Sequence, residues 1–208
     1  MYYVVTYTIK HKIHNKEFIL KSDNPILYSD ADGVILDWLS GFIDYCASIK
    51  HIALHKEPTR FDMQDIFPKL EKPWELIHDY QASEFYHNMK SYQDAREALQ
   101  RTKDMGVSNI IVTSCGDTSD IMNSRNATIE REFSGCVDNI IYLPYGSSKL
   151  EILKKLKPGV FIDDQEKIAI EGLKAGHDSF LKKQSYNINH TNKLLGSIDN
   201  MNEICLHF

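Results

Sequence analysis

Past residue 25, short apolar runs and helix-spaced apolar positions take turns along the chain. Ile26-Leu27-Tyr28-Ser29 reads as a buried strand that ends on acidic residues, and Trp38 to Ile49 carries Leu39, Phe42, Ile43 and Cys46 at helical spacing. A helix over Tyr92 to Met105 stops at Gly106, a strand covers Asn109 to Thr113, and a helix runs on to Phe133. The strand Ile140 to Leu143 follows. Ser148 precedes Glu151 at capping-box spacing, which predicts a helix that ends near Lys157-Pro158-Gly159. Val160 to Ile162, Glu166 to Lys174 and Ser179 to Leu181 complete the series as strand, helix and last strand.

Strand and helix alternating with crossovers of this length imply an α/β fold with a doubly wound, mostly parallel, Rossmann-like sheet. Two segments depart from the pattern. Tyr3, Val5, Tyr7 and Ile9 alternate with Tyr2, Val4, Thr6 and Thr8 before a polar break near Asn15 and a second apolar run, Phe18 to Leu20, which predicts an amino-terminal β-hairpin over residues 1–24. Residues 38–90 hold Pro58, Pro68 and Pro73 and many aromatics without a strong strand, which predicts a small helical insertion. The core is then left with residues 25–37 and 91–208.

Charge and cysteines narrow the function class. The 24 basic and 29 acidic residues give a net charge of −5, so there is no general affinity for nucleic acid or anionic membrane, and an anionic partner needs a local device. Cys46, Cys115, Cys136 and Cys205 form no C-x-x-C pair, which argues against a zinc cage. No signal-peptide pattern opens the chain and no apolar run approaches the ~18 residues of a membrane span. The expectation is a soluble, cytoplasmic protein without a membrane partner.

The strand ends carry the chemistry. The first delivers Asp30-Ala31-Asp32-Gly33, the second Thr113-Ser114-Cys115-Gly116, and the strand at 160–162 delivers Asp163-Asp164, with Lys149 just ahead of it. In open parallel sheets ligands bind at these ends. Four carboxylates there repel one another unless a cation lies between them, and all-oxygen ligands point to Mg²⁺ held by Asp30, Asp32, Asp163 and Asp164. Thr113, the amides around Ser114 and Lys149 are suited to phosphoryl oxygens.

Plainer readings fit these residues less well. An EF-hand with Gly33 at its sixth position would place Tyr28 and Leu39 at ligand positions, which neither can fill. A receiver domain has its lysine last, whereas Lys149 precedes Asp163-Asp164, and a metal-dependent nuclease leaves Thr113 and Lys149 unexplained. His51 and His55 lack a third ligand and read as surface residues, and Asp117 and Asp120 read as the cap and first-turn acid of the next helix.

The ordered quartet DADGV, IIVTS, a helix lysine and FIDD resembles the four motifs of the haloacid dehalogenase (HAD) superfamily of phosphohydrolases over roughly residues 25–185. Asp37-Trp38, the insertion before the second motif, the Thr-Ser ending and Lys183-Gln184-Ser185-Tyr186-Asn187 are similar to its 5'(3')-deoxyribonucleotidase group. The chain departs from that group in having Gly116-Asp117-Thr118 where a basic residue tends to follow Thr-Ser.

The resemblance implies a Mg²⁺-dependent phosphatase in which Asp30 is the nucleophile and Asp32 the acid and base. Thr113 and Lys149 would neutralise the phosphoryl oxygens, Gly33, Ser114 and Trp38 would contact substrate, and residues 38–90 would form a cap. Phe42, Phe61 and Trp74 join Trp38 as candidates for stacking on a base. The expected partner is a small phosphate ester, a (deoxy)nucleoside monophosphate foremost. The alternatives are another small phosphoester, a nucleic-acid 3'-phosphate end, or a catalytically silent nucleotide binder.

Overall fold

The computed structural model describes residues 24–208 and, before them, the strand pairing of Thr6–Tyr7 (β1). The rest of the expected amino-terminal hairpin lies outside the described residues. The remaining strands are β2 Ile26–Ser29, β3 Ser108–Thr113, β4 Asn139–Tyr142, β5 Val160–Asp163, β6 Asp178–Lys182 and β7 Gly196–Ile198. They form one sheet in the order β1-β4-β3-β2-β5-β6-β7. From β4 to β7 every pairing is parallel, and β1 is antiparallel to β4, with Thr6 opposite Ile141 and Tyr7 opposite Ile140.

The central strands are apolar runs because helices cover both faces, leaving no solvent side for alternation to mark. All four residues of β2 and of β5 are buried. The helices are amphipathic to match. In α4, Gln93–Asp104, the inward face is Ala95, Ala98, Leu99 and Thr102 at three- and four-residue steps. In α5, Ser119–Phe133, the apolar residues Met122, Ile129 and Phe133 are buried together with Ser124, Thr128 and one charged residue, Arg125.

Residues 38–90 hold α1 Trp38–Ser48, a 3₁₀ turn Pro73–Leu76, α2 Ile77–Gln81 and α3 Glu84–His87, with no strand among them. Aromatic packing organises this part: Phe42 stacks on Trp38 at 4.9 Å, and Tyr80 meets Phe42 and Tyr86 edge-on at 5.5 Å each. Phe42 is fully buried, so it supports Trp38 and is not itself a stacking surface for a ligand. Two sequence expectations change here. The helix begun near Ser148 is only α6, Leu150–Leu153, and β7 is a further strand beyond Leu181. The last helix, α7, is Glu166–Lys174 as the pattern predicts. Among the described residues no helix is long and apolar enough to cross a membrane.

Candidate active site

The order of the sheet decides where the motifs meet. β2 lies between β3 and β5, so its carboxyl end opens between the loops that follow those two strands. The Asp30 amide donates to Ile162 O at 2.9 Å, which ties the end of β2 to β5. The chain then turns tightly, with Ala31 O accepting from the amides of Ile35 (3.0 Å) and Leu36 (2.9 Å). Gly33 sits in this turn at φ +75°, and a Cβ there would fall 2.4 Å from Asp164 Oδ2 and 2.8 Å from Tyr186 Oη. Only glycine satisfies both the left-handed backbone and that close approach.

Lys149, the residue that caps the start of α6, crosses to this turn as a fully enclosed cation. Its Nζ lies 3.0 Å from Asp30 Oδ1 and 2.8 Å from Asp163 Oδ2. Of the expected Ser148–Glu151 capping box only the serine half forms, Ser148 Oγ accepting from the Leu150 amide at 3.2 Å, and a second device is added. Glu171, on the buried face of α7, accepts from the amides of Lys149 (2.7 Å) and Leu150 (3.0 Å), while Glu151 turns outward to Lys154. A buried carboxylate from a neighbouring helix binds both amides better than an exposed local one, and it fixes the backbone that aims Lys149.

Asp163 is engaged at both oxygens, Oδ2 by Lys149 and Oδ1 by the Gln165 amide at 2.9 Å. Asp164 instead faces the cavity, held by the Tyr186 hydroxyl, while Asn187 Nδ2 bonds to Asp164 O (2.7 Å) and Lys182 O (2.9 Å). Asp30, Asp163 and Asp164 each offer an oxygen within 4.8 Å of the others. Burial, opposed by Lys149 and aided by Asp30, pushes the Asp163 carboxyl up; burial and the charge of Asp163 push Asp164 well up. Burial works against the Lys149 ammonium, but Asp163 and Asp30 outweigh it and raise its pKa. One ammonium among three buried carboxylates leaves negative charge to neutralise, and the oxygen-only donor set suits a hard divalent cation.

Asp32 has a partner of its own. Arg125 Nη2 lies 2.7 Å from Asp32 Oδ1 and 2.8 Å from Oδ2, and its side chain is as buried as that of Lys149. Burial raises the Asp32 carboxyl above the usual range, against the lowering pull of Arg125. The same Nη2 donates to Tyr86 Oη at 2.6 Å, and the guanidinium carbon stands 4.7 Å from the Tyr86 ring centre. Arg125, Tyr86 and Glu171 lie outside the sequence motifs. Their signal was a charged or polar side chain at a core position of an amphipathic pattern.

Above these groups is a pocket of about 440 Å³, a volume ordinary for small-molecule sites. Its floor includes Asp30, Asp32, Gly33, Thr113, Ser114, Lys149 and Asp164. Thr113 is buried, and Ser114 Oγ donates to Ser147 O at 3.1 Å, which joins the loops after β3 and β4. Trp38, Phe61 and Trp74 form much of the upper wall; Phe61 also meets Tyr186 edge-on at 5.6 Å. Gln81 Nε2 donates to Cys115 O at 2.7 Å, fastening α2 to the loop after β3. His51 and His55 follow the end of α1 and lie outside this pocket.

No family model matches the chain. It is 27% identical over 139 residues to an "uncharacterized 32.4 kDa protein in Gp30-rIII intergenic region" of Enterobacteria phage T4, covering 64% of this chain and 50% of that one. The chain thus spans about half the length of the curated relative it matches. Among solved structures it resembles a "predicted phosphatase" from Clostridium acetobutylicum, with TM-score 0.63, 15% identity, and coverage of 89% of this chain and 98% of the other. A HAD family hydrolase from Deinococcus radiodurans with bound phosphate and sodium gives TM-score 0.60, 12% identity and coverage of 87% and 93%. A HAD-superfamily hydrolase from Ehrlichia chaffeensis gives 0.53, 16%, and coverage of 88% and 96%. The chain therefore has the fold of the haloacid dehalogenase superfamily hydrolases.

Proposed function

We propose that the protein is a Mg²⁺-dependent phosphomonoester hydrolase that works through an aspartyl-phosphate, with (deoxy)nucleoside monophosphates as its substrate class. The observation that carries this reading is the meeting of Asp30, Asp164, Lys149 and Thr113 beneath a pocket walled by Trp38, Phe61 and Trp74. Asp30, Asp164 and the Asp32 backbone carbonyl would hold the metal, with Asp163 engaged by Lys149 and Gln165 behind them. Bound there, Mg²⁺ supplies positive charge against the phosphoryl oxygens and keeps the neighbouring carboxylates ionised.

Asp30 attacks phosphorus in line, forming the acyl-phosphate bond as the bond to the leaving oxygen breaks. Asp32 gives its proton to that oxygen, then takes one from the water that cleaves the intermediate and frees inorganic phosphate. Lys149 and Thr113 neutralise and position the equatorial oxygens, which supplies most of the acceleration in this class of reaction. Residues 38–90 act as the cap, limiting water and reading the leaving group.

The flat aromatic wall favours a planar, uncharged leaving group over a second anionic one. Lys149 is the one lysine or arginine among the pocket-lining residues, so a polyanionic strand end finds no further cation there. A panel of deoxynucleoside monophosphates, sugar phosphates, aryl phosphates and a 3'-phosphorylated oligonucleotide, each with Mg²⁺, tests the reading. Greatest kcat/KM on the nucleotides supports it. Greatest kcat/KM on the oligonucleotide or the sugar phosphates replaces the substrate class, and tight nucleotide binding without turnover refutes catalysis.

A further inference from the structure

We infer that Arg125 is a positioning residue for Asp32, holding its carboxyl group where the proton must be handed to the leaving oxygen. The inference rests on the phosphatase reading above and concerns a residue outside its motifs.

Arg125 is the one basic residue on the inward face of α5, at 1% exposure, between the core residues Met122 and Ile129. A well-packed apolar residue in such a place stabilises a protein as well as a buried ion pair, or better, so stability alone does not account for an arginine. The contacts are unevenly distributed over its nitrogens. Nη2 donates to Asp32 Oδ2 and to the Tyr86 hydroxyl and lies 2.7 Å from Asp32 Oδ1, Nη1 reaches the Met89 sulfur at 3.7 Å, Cys115 also interacts with the guanidinium, and Nε has no hydrogen-bond partner among the described residues. The shortest contacts of the guanidinium thus go to Asp32 and Tyr86. Asp32 keeps a quarter of its side chain exposed and lines the pocket, so it is gripped from behind with its free side toward the substrate.

Arg125 is itself held from two directions. Ahead of it is the Tyr86 ring. Around it the same helix is fastened to residues 87–91: Thr128 Oγ1 donates to His87 O (3.2 Å), Arg131 Nη1 to His87 O (2.9 Å) and Nη2 to Met89 O (2.5 Å), and Ser91 donates to Glu132 Oε2 (2.9 Å). When Asp32 passes its proton to the departing oxygen, the carboxylate left behind already faces its counter-charge, and no reorganisation is needed.

The test uses kcat/KM, which reports the step that phosphorylates Asp30, across p-nitrophenyl phosphate, phenyl phosphate and a deoxynucleoside monophosphate. A more acidic leaving group needs less help from a proton donor, so Asp32→Asn sets the reference pattern. Arg125→Met is expected to follow it, losing about 30- to 100-fold more on the nucleotide than on the p-nitrophenyl ester. Arg125→Lys, which keeps the charge and serves if the methionine variant does not fold, should show the same graded pattern at smaller amplitude. Losses equal on all three substrates, or none, in a folded variant overturn the inference. Asp30→Asn, measured alongside, separates the two levels: if it stays active the phosphatase reading fails, whereas if it is inactive and the Arg125 losses are ungraded only the positioning role fails.

Discussion

Two fully buried cations from the sheet and its helices meet the Asp30–Asp32 turn, one braced within that core and the other against the helical insertion. Lys149 reaches Asp30 and Asp163 from the N-cap of a four-residue helix, where Glu171 grips its amide and the next, all within the parallel sheet and its helices. Arg125 reaches Asp32 from the face of α5 that packs against α3, so its position depends on Tyr86 and Met89. Two carboxylates only two residues apart are therefore governed by separate structures. In the proposed reaction the Lys149 side would hold the phosphate's counter-charge, and the Arg125 side would set the proton transfer by Asp32.

The largest break in that contrast is expected from Lys149→Met. It leaves Asp30 and Asp163 without their counter-charge, which should cost about 3–5 kcal/mol of stability and about 10²- to 10³-fold in kcat/KM. Urea titration and steady-state kinetics check both, and a stable variant with near-normal kcat/KM would show that the lysine is peripheral to the site.

Metal binding should act on the same side and depend on pH. Because burial raises the folded-state pKa of Asp163 and Asp164 above the unfolded values, metal-free protein gains stability at acid pH and loses it as pH rises through the folded values. Mg²⁺ competes with those protons. At a hundred times its Kd it should add about 2.7 kcal/mol near neutrality and less at about pH 5, read as a thermal shift. A shift that is the same at both pH values would place the metal elsewhere.

On the helical side, the exposed aromatics should separate binding from stability. Trp74→Ala and Phe61→Ala are expected to raise KM for a nucleoside monophosphate by about tenfold while changing stability by less than about 0.5 kcal/mol. Phe42→Ala, in the buried stack under Trp38, should instead cost about 3–5 kcal/mol. Unchanged KM in both exposed variants would remove the wall from recognition.

How legible each side is in the sequence follows from the same contrast. The strands β2 to β6 are marked by short apolar runs, and Asp30, Asp32, Asp163 and Asp164 follow directly from where two of those runs end. β7 was missed because Gly196-Ser197-Ile198 offers one apolar residue and pairs only at the sheet edge. At Ser148 the local signal locates a real serine cap, but the carboxylate that completes it is the distant Glu171 and not Glu151. Phe42 and Trp38 had the same sequence texture, and only packing distinguishes the supporting ring from the one that faces the pocket. Arg125 was hidden by its type, since a helix arginine reads as solvated unless its spacing to Met122 and Ile129 is weighed first.

The most direct test of the central claim is phosphate release with saturating Mg²⁺ by the wild-type protein and Asp30→Asn, side by side on a deoxynucleoside monophosphate. Turnover by the wild type with a loss of at least about a thousandfold in the variant is the predicted result. Comparable release by both proteins, or none by either on any monophosphate, would contradict it.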